Sequence, residues 1–337
     1  MNGKAIIALI VAAVPACAGL TLSAVPSLCQ PLAALVCYVS GTVLVVGLCT
    51  RVVRWASSPV PFRIPTTCGQ QRSLAWIRPA TFDNPSNGWA AAARMAAEVL
   101  FFRSLFRNTR CRVANGRTIF SESLWLWLGA LAFHWSLLLV LLHHLRLFVL
   151  PVPGFVLWLD RLDAPFEIGI PQLYISDVAF VAGLAYLLGR RLANPVIRCI
   201  SQASDYLALW LLAGTGATGL AMRHVSKVDI AAVKQFALGL ATFSPVLPDN
   251  VGALFFAHLF LACALAATIP FSKLMHMAGV WLSPTRNLAN NSRAARHVNP
   301  WNPPVKTHTY AEWEREYGDK LTAADIPLEA TDVEAGD

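Results

Sequence analysis

Long apolar stretches separated by shorter polar segments give this chain its pattern. Six stretches come close to or exceed the roughly 20 residues that an α-helix needs to cross the hydrocarbon core of a membrane. They are residues 5–24, 32–48, 124–150, 173–188, 206–222 and 250–284. The first two predict a transmembrane hairpin. A cleaved signal peptide is the alternative for the first, although its apolar run is longer than the usual roughly 7–15 residues. The pattern predicts an all-α membrane protein with about six transmembrane helices.

The polar segments divide the chain into four regions. We expect an N-terminal hairpin over residues 1–50, a basic cytoplasmic loop over 51–121, a four-helix bundle over 122–284 and a cytoplasmic tail over 285–337. Inside the basic loop, residues 89–110 predict a helix in the membrane interface, with Met95 and Phe102 on its apolar face and Arg103 beside that face. Packing of this helix on a partner subunit is the alternative.

Composition and charge agree with a membrane protein and set its orientation. Charged residues make up 14% of the chain, whereas soluble domains carry about 25%. The net charge of +8 does not indicate nucleic-acid binding, because no polar segment interleaves basic and aromatic residues. With six spans, 22 of the 27 basic residues lie on one side of the membrane. The positive-inside rule therefore places both termini in the cytoplasm.

The eight cysteines do not form a metal-binding pattern. None belongs to a CxxC or CxxCH motif. This argues against an iron–sulfur cluster, a structural zinc and a covalently attached haem in this chain.

Two predicted spans carry five histidines, four of which pair across the bundle. His258 and His276 in the last span are eighteen residues apart, which is about five helical turns, so their side chains share one face. The third span carries His134 and His144 and runs antiparallel to the last in a six-span topology. That arrangement pairs His134 with His276 on the cytoplasmic side and His144 with His258 on the outer side.

Each histidine pair suits the two axial positions of a haem iron, because neutral imidazole binds iron and a helix bundle buries the haem. His143 competes with His144, but it lies about half a turn round the helix from His134 and faces away from it. The rise between histidines is about 15 Å in the third span and about 27 Å in the last. We expect tilt and a kink at Pro270 to absorb the difference. The alternative is that all four are core histidines with polar partners. Structural zinc fits poorly, because neither span carries an acid.

Several motifs resemble a known family. The run PFSKLMHM (270–277), with a histidine eighteen residues before the one it contains, resembles the last helix of the respiratory nitrate reductase gamma-subunit family. That family is a membrane diheme cytochrome b whose other two ligands are ten residues apart, as His134 and His144 are. More narrowly, VKQFALGLATFSP (233–245), SPTRN (283–287) and NPWNPPVKTHTYAEWE (299–314) are similar to M subunits of the membrane complex associated with dissimilatory sulfite reductase. The additional N-terminal span and the Arg-rich loop depart from the gamma-subunit pattern of five spans.

The resemblance implies a function. Two b-type haems, one held by His134 and His276 and the other by His144 and His258, would carry electrons between the membrane quinone pool and a cytoplasmic iron–sulfur subunit like the catalytic subunit of heterodisulfide reductase. The chain would act in dissimilatory sulfur metabolism in the inner membrane of a prokaryote, together with other membrane and periplasmic subunits. Apart from quinone exchange it would not be catalytic on its own. We expect Trp301 and Trp313 of the tail to dock the partner; a solvated tail is the alternative.

Further site residues follow from predicted depth alone. Polar groups near the outer haem that would bind a quinone are Arg146, Tyr174, Asp177, Arg223 and His224. Ordinary interfacial roles are the alternative for each. Lys273 and Arg286 are candidates for the propionates of the cytoplasmic haem. Two other classes of function remain: a haem-free membrane anchor, and a transporter, for which the sequence shows no clear internal repeat.

Overall fold

A computed structural model describes residues 3–58, 69–106, 110–165, 171–247, 251–291, 304 and 306–329, and these residues are mainly helical. Trp301 lies outside the described residues. In chain order the helices are α1 (Gly3–Leu22), α2 (Pro26–Ala56), α3 (Gly88–Phe101), α4 (Arg103–Phe106), α5 (Leu124–His144), α6 (Gly154–Asp163), α7 (Ile175–Ala193), α8 (Pro195–Ile200), α9 (Ala203–His224), α10 (Ile230–Ala241), α11 (Ala253–Thr268), α12 (His276–Gly279) and α13 (Tyr310–Ala323). A hairpin of β1 (Arg110–Ala114) and β2 (Arg117–Ser121) lies between α4 and α5.

Four helices form an arc that positions the histidines. Helix α5 packs on α7, α7 packs on α9, and α9 packs on α11. Phe133 of α5, Phe180 of α7 and Leu212 of α9 share one apolar cluster along this arc. Gly183 permits the close approach of α7 to α5, because a Cβ at this position would lie 2.9 Å from the Phe133 nitrogen. The first and last helices of the arc, α5 and α11, therefore become the two sides of one space.

The N-terminal helices pack on this arc more than on each other. Helix α1 lies against both α9 and α11, and α2 lies against α11. Gly19 marks the closest approach of α1, because a Cβ at this position would lie only 2.4 Å from the Phe256 carbonyl oxygen of α11. Residues of the predicted N-terminal hairpin thus belong to the same packed core as the four-helix arc.

The all-α membrane class is confirmed. Within the described residues, four helical segments are long and apolar enough to cross a membrane: Gly3–Leu22, Pro26–Ala56, Leu124–Leu147 and Ala253–Phe271. Helices α7 and α9 have 19 and 22 residues, which is sufficient length at about 1.5 Å per residue, but they carry charged residues at their ends. Six spans remain the prediction from sequence.

The predicted helix over residues 89–110 is interrupted at Phe102; residues 107–109 lie outside the described residues, and Arg110 begins a strand. Helix α3 ends at Phe101, because Phe102 adopts a left-handed conformation with φ of 49°. After the short α4, the chain forms the β-hairpin. Its turn residues Asn115 and Gly116 both have positive φ, 52° and 72°. Asn-Gly is the favoured sequence for such a two-residue turn, so a local signal for this hairpin was present.

Two predicted loops contain helices. Helix α6 lies within residues 151–171 and α10 lies within 223–250. Asp229 begins α10, since its side chain accepts hydrogen bonds from the backbone N–H groups of Ala231 and Ala232 at 2.9 and 3.3 Å. An aspartate before an apolar run is a usual helix start, and this signal indicates α10 in the sequence.

The predicted helix over residues 250–284 is interrupted at Pro270, where the sequence predicts a kink. Helix α11 ends at Thr268, and two short 3₁₀ turns, Ile269–Phe271 and Lys273–Met275, precede α12. Pro270 is buried in the first turn, where its missing N–H cannot continue the helix. Between the two turns Ser272 is extended, with φ of −118° and ψ of 176°.

Candidate functional site

His134 and His276 approach each other across the space beside α5. The centres of their imidazole rings are 5.9 Å apart, and the ring planes are nearly perpendicular at 87°. Phe102 and Phe133 both lie edge-on to His134, each with a centroid distance of 5.0 Å. The structure therefore brings together the two residues that the sequence pairs on the cytoplasmic side.

His144 and His258 form a second pair, farther along α5 and on α11, whereas His276 of the first pair begins α12. Their ring centres are 6.5 Å apart and their planes are nearly parallel, at 12°. Gly219 of α9 leaves room for His258, because a Cβ there would already lie 3.2 Å from the Cε1 atom of this imidazole. The structure thus brings together the predicted outer pair as well.

All four imidazoles hold Nδ1 against a backbone carbonyl oxygen. The distances are 2.7 Å for His134 to Ala130, 2.7 Å for His144 to Val140, 3.0 Å for His258 to Thr215, and 2.8 Å for His276 to Lys273. A carbonyl oxygen only accepts, so Nδ1 of a neutral ring carries the proton and Nε2 carries the lone pair. Histidines that bind metals use this arrangement, in which the second nitrogen is held by a carbonyl or carboxylate.

The two pairs fit a haem iron between their rings. Imidazoles on opposite sides of one metal, each with a metal–nitrogen distance of about 2 Å, have ring centres roughly 6.5 Å apart. Helices α5 and α11, which are both fully described, do not pack closely on each other. No cluster of three or more His, Cys, Asp or Glu that would bind a bare metal occurs within the described residues. A haem needs only two protein ligands, because the porphyrin supplies the others. The assignment of the four ligands remains a prediction.

His143 faces a different environment from its neighbour. It is buried, and its ring lies 4.6 Å from the ring of Tyr174. Its Nε2 lies 3.5 Å from Asp160 and its Nδ1 lies 3.7 Å from Asp163. His144, in contrast, is exposed on the side of α5 that faces His258. The geometry agrees with the choice of His144 over His143 as the partner of His258.

The five predicted quinone-site residues gather around His143 in one group, which we call the polar cluster. It consists of His143, Arg146, Asp160, Asp163, Tyr174, Asp177, Arg223 and His224. The Asp160 carboxylate binds the Arg146 guanidinium and accepts a hydrogen bond from the Tyr174 hydroxyl at 3.2 Å. The Arg223 guanidinium lies 3.8 Å above the Tyr174 ring and 4.0 Å from the Asp177 carboxylate. Since His143 precedes His144, the cluster adjoins the second histidine pair.

Asp160 and Asp163 are members that the sequence analysis did not assign to a site. Asp163 is buried and accepts hydrogen bonds from the Ser176 backbone N–H at 2.8 Å and from its hydroxyl. Both acids lie on α6, which was predicted as a loop. Their spacing of three residues on a short amphipathic segment was the available signal, because residues three apart share a helix face.

The polar cluster contains buried polar atoms that have no hydrogen-bond partner among the described residues. They are His143 Nε2, Arg146 Nε, Asp177 Oδ2, Arg223 Nε and His224 Nε2. Two of them, Arg223 Nε and Asp177 Oδ2, form an ion pair with each other at 4.0 Å, and His143 Nε2 lies 3.5 Å from Asp160. A buried polar atom without a hydrogen bond costs about 1–3 kcal/mol, so this group indicates a site for a polar ligand or water. The arginine nitrogens donate, the carboxylate oxygen accepts, and the imidazoles do either. Such a set matches a ligand that carries both hydroxyl and carbonyl oxygens.

The two candidate propionate residues lie apart from each other. Lys273 forms an ion pair with the buried carboxylate of Asp205, at 2.8 and 3.0 Å. A propionate would have to compete with this carboxylate. Arg286 lies close enough to Arg94 to act electrostatically on it, in the region of α3. Burial, as the largest influence, lowers the pKa of Arg94, and the charge of Arg286 adds to this effect. Propionate binding by either residue remains a prediction.

The end of α3 contacts α5 beside His134. The indole nitrogens of Trp127 and Trp135 on α5 donate to the carbonyl oxygens of Phe101 and Leu100, at 2.6 and 3.0 Å. These carbonyls belong to the last turn of α3, where helical partners run out. The two hydrogen bonds place Phe102 against His134. The sequence predicts Phe102 on a membrane-facing apolar stripe and gives no indication of its contact with His134.

The described part of the tail forms an acidic helix. Helix α13 begins with a capping box, in which the Thr309 hydroxyl accepts from the Glu312 N–H and Glu312 accepts from the Thr309 N–H. Hydrogen bonding to the Thr309 backbone, and to a smaller extent to the Thr309 side chain, holds the pKa of the Glu312 carboxyl below its usual range. Tyr310, Trp313 and Tyr317 form one aromatic stripe, with successive ring centres 5.7 and 5.9 Å apart. Tyr310 and Trp313 are exposed.

Comparison with known proteins identifies relatives over most of the chain. The family model described as nitrate reductase gamma subunit matches residues 90–297. The chain is 44% identical over 274 residues to the Hdr-like menaquinol oxidoreductase cytochrome b-like subunit of Archaeoglobus profundus, covering 79% of this chain and 81% of that protein. The subunit of the same name from Archaeoglobus fulgidus is 43% identical over 79% of this chain and 82% of its own length. Respiratory nitrate reductase 1 gamma chain of Escherichia coli is 30% identical over 36% of this chain and 56% of its own length. The chain therefore belongs to the nitrate reductase gamma subunit family.

Proposed function

We propose that this chain is a b-type cytochrome subunit that binds two haems and transfers electrons between a membrane quinol and a cytoplasmic iron–sulfur partner in dissimilatory sulfur metabolism. Family membership supports membrane electron transfer of the cytochrome b type. The observation that carries the finer proposal is the arrangement of the four histidines. They form two facing pairs with ring centres 5.9 and 6.5 Å apart, and each holds Nδ1 on a carbonyl.

The histidine pairs would hold the two redox centres at two depths. His134 and His144 are ten residues apart on α5, which separates the pairs by about 15 Å along the helix. His134 and His276 would hold one haem and His144 and His258 the other, and the bound haems would supply one-electron transfer. Phe102 and Phe133 pack edge-on against His134 of the first pair. We assign the His134–His276 pair to the cytoplasmic side from the distribution of basic residues.

The polar cluster would bind the quinol beside the second pair. The Arg146 and Arg223 Nε–H groups, which have no hydrogen-bond partner among the described residues, would donate to a quinone oxygen. Asp177 Oδ2, which lies 4.0 Å from Arg223 Nε, would accept from a quinol hydroxyl. Asp160 holds Arg146, and Tyr174 supports the Arg223 guanidinium through its ring face. We propose a naphthoquinol of the menaquinol type as the substrate, because the Archaeoglobus relatives are named menaquinol oxidoreductase subunits.

The cytoplasmic partner would dock on the basic face and on the tail. Helix α13 has an excess of acids and an exposed aromatic stripe. Negative charge repels it from anionic lipid headgroups, which favours contact with a soluble subunit instead. We propose an iron–sulfur subunit of the heterodisulfide reductase type as that partner, with both termini of this chain in the cytoplasm.

The haem assignment is tested on the purified chain. A dithionite-reduced minus oxidised spectrum should show b-type bands, and pyridine haemochrome analysis should give about two haems per chain. A chain without haem would instead be an anchor or a transporter subunit, and the proposal would be wrong.

The quinol site is tested by the rate at which menadiol reduces the haems in a stopped-flow experiment. Asp177→Asn keeps the size of the side chain but removes the charged acceptor. Hydrogen bonds to charged groups contribute about 1.5–3 kcal/mol, so the second-order rate should fall about 10- to 100-fold. Asp229→Asn is the matched control, because Asp229 caps α10 outside the polar cluster. Equal rates for the two variants would place the quinol elsewhere.

A further inference from the structure

Asp205 is a buried carboxylate at the start of α9. Only 4% of its side chain is exposed. Its Oδ2 accepts a hydrogen bond from the Gln202 backbone N–H at 3.0 Å and lies 3.3 Å from the Arg191 guanidinium of α7. Arg191 also donates to the Ser201 hydroxyl at 2.9 Å. The carboxylate therefore joins the end of α7 to the start of α9.

Lys273 adds a third element to this site. Its Nζ lies 2.8 Å from Oδ1 and 3.0 Å from Oδ2 of Asp205, so it contacts both carboxylate oxygens. Lys273 belongs to the short 3₁₀ turn that follows the break at Pro270. The Ser272 hydroxyl caps this turn by accepting from the Leu274 N–H at 3.2 Å. The lysine side chain is 74% exposed, and its ion pair with Asp205 is a long-range contact between this turn and α9.

The same turn orients His276. The Lys273 carbonyl oxygen accepts the hydrogen bond from His276 Nδ1 at 2.8 Å. In contrast, the Nδ1 atoms of His134 and His144 are hydrogen-bonded to carbonyl oxygens one turn earlier in α5, and Nδ1 of His258 is hydrogen-bonded to a carbonyl oxygen of α9. Those carbonyls are fixed by long helices. The carbonyl that holds His276 lies in an irregular segment, so its position depends on what fixes Lys273.

We propose that Asp205 is a positioning residue for His276. It fixes the Lys273 side chain, and with it the Lys273 carbonyl that sets the tautomer and the plane of the His276 imidazole. The inference rests on the proposed role of His276 as a haem ligand. On this proposal Lys273 helps to hold the haem ligand His276 and does not bind a haem propionate.

The test compares Asp205→Asn with Asp229→Asn in the full-length, haem-loaded chain. Both residues are aspartates at helix starts, but the Asp229 side chain accepts only from N–H groups of its own helix, α10. Haem loss is followed by transfer to excess apomyoglobin, and the ferric low-spin signals are recorded by electron paramagnetic resonance. Removing a contact behind a metal ligand weakens metal binding about 10- to 100-fold. Asp205→Asn should therefore speed the loss of one haem by about this factor and alter one of two low-spin signals. Asp229→Asn should change neither.

Two further variants separate positioning from general stability. Lys273→Met leaves Asp205 paired with Arg191 and Gln202, so α7 and α9 stay joined, and it should reproduce the effect on the one haem. Asp205→Glu keeps the charge and should restore the signal in part. Equal changes at both haems in Asp205→Asn, or an unchanged signal in Lys273→Met, would overturn the inference.

His276→Ala distinguishes this failure from failure of the proposed function. If this variant keeps both haems, the ligand assignment is wrong and the proposed function must be revised. If it loses one haem while Asp205→Asn and Lys273→Met leave that haem unchanged, the ligand stands and only the positioning role is wrong.

Discussion

Replacing His144 should lower the haem content, whereas replacing its neighbour His143 should leave the haem content unchanged. His144→Ala removes the ring that faces His258 at a centroid distance of 6.5 Å. We expect one of the two haems to be lost, so the haemochrome value should fall from about two to about one per chain. His143→Ala should retain both haems, because His143 is about 100° further round the helix and packs against Tyr174 at 4.6 Å.

The structure also sets the magnitude for His143→Ala. Asp160 keeps the Arg146 guanidinium and the Tyr174 hydroxyl, and Asp163 keeps both hydrogen bonds from Ser176. The two carboxylates therefore stay satisfied without the imidazole. We expect the free energy of unfolding to fall by only about 0.5–1.5 kcal/mol, the usual net contribution of one polar interaction whose partners stay satisfied. Oxidation of quinol should slow, because the polar cluster loses a member.

The assay is haem quantification and reduced-minus-oxidised spectroscopy on both purified variants, with protein measured independently. Thermal loss of the haem absorbance reports stability in the same samples. Retention of two haems by His144→Ala, together with loss of one by His143→Ala, would refute the assignment of the outer ligand. Loss of haem from both variants would mean that the polar cluster supports the ligand itself.

Three more predictions follow from particular contacts. Gly19→Ala should lower the stability of the loaded chain by about 1–3 kcal/mol, because its Cβ would lie 2.4 Å from the Phe256 carbonyl oxygen; Gly41→Ala, with nothing within 4 Å, should not lower it in the same thermal assay. The ferric spectrum should contain two unlike low-spin signals, since perpendicular imidazole planes (87°) leave the iron orbitals more nearly degenerate than parallel ones (12°); two identical signals would contradict these angles. Gly116→Val should destabilise the hairpin by about 1–2 kcal/mol, because φ is +72°, and tryptic cleavage after Arg117 should become faster; an unchanged rate would contradict this.

The hydrophobic pattern predicted the membrane class and most of the long helices. Apolar runs persist over about 20 residues because lipid forces the backbone to satisfy its own hydrogen bonds, and this signal does not depend on tertiary contacts. The short elements were less visible. The hairpin at Asn115 and Gly116 and the cap at Asp229 each had a local signal, but the surrounding charges and prolines favoured an irregular interpretation.

The candidate site was predicted in part. Helical periodicity paired His134 with His276 and His144 with His258, and it separated His144 from His143 by rotation alone. Periodicity could not explain the unequal rise in the two spans. The break at Pro270, followed by the extended Ser272, removes the premise of a continuous helix.

The sequence by itself determined the membrane class and the family, and it singled out the four histidines as candidate haem ligands. Each of these depends only on local spacing and composition. Tertiary structure alone decided which polar side chains surround them. Asp160, Asp163 and Asp205 come from α6 and α9 and meet residues of other helices across distances in sequence that no periodicity encodes. Lys273 is an example. The sequence makes it a candidate for binding a haem propionate, whereas packing of the turn after Pro270 on α9 pairs it with the buried carboxylate of Asp205.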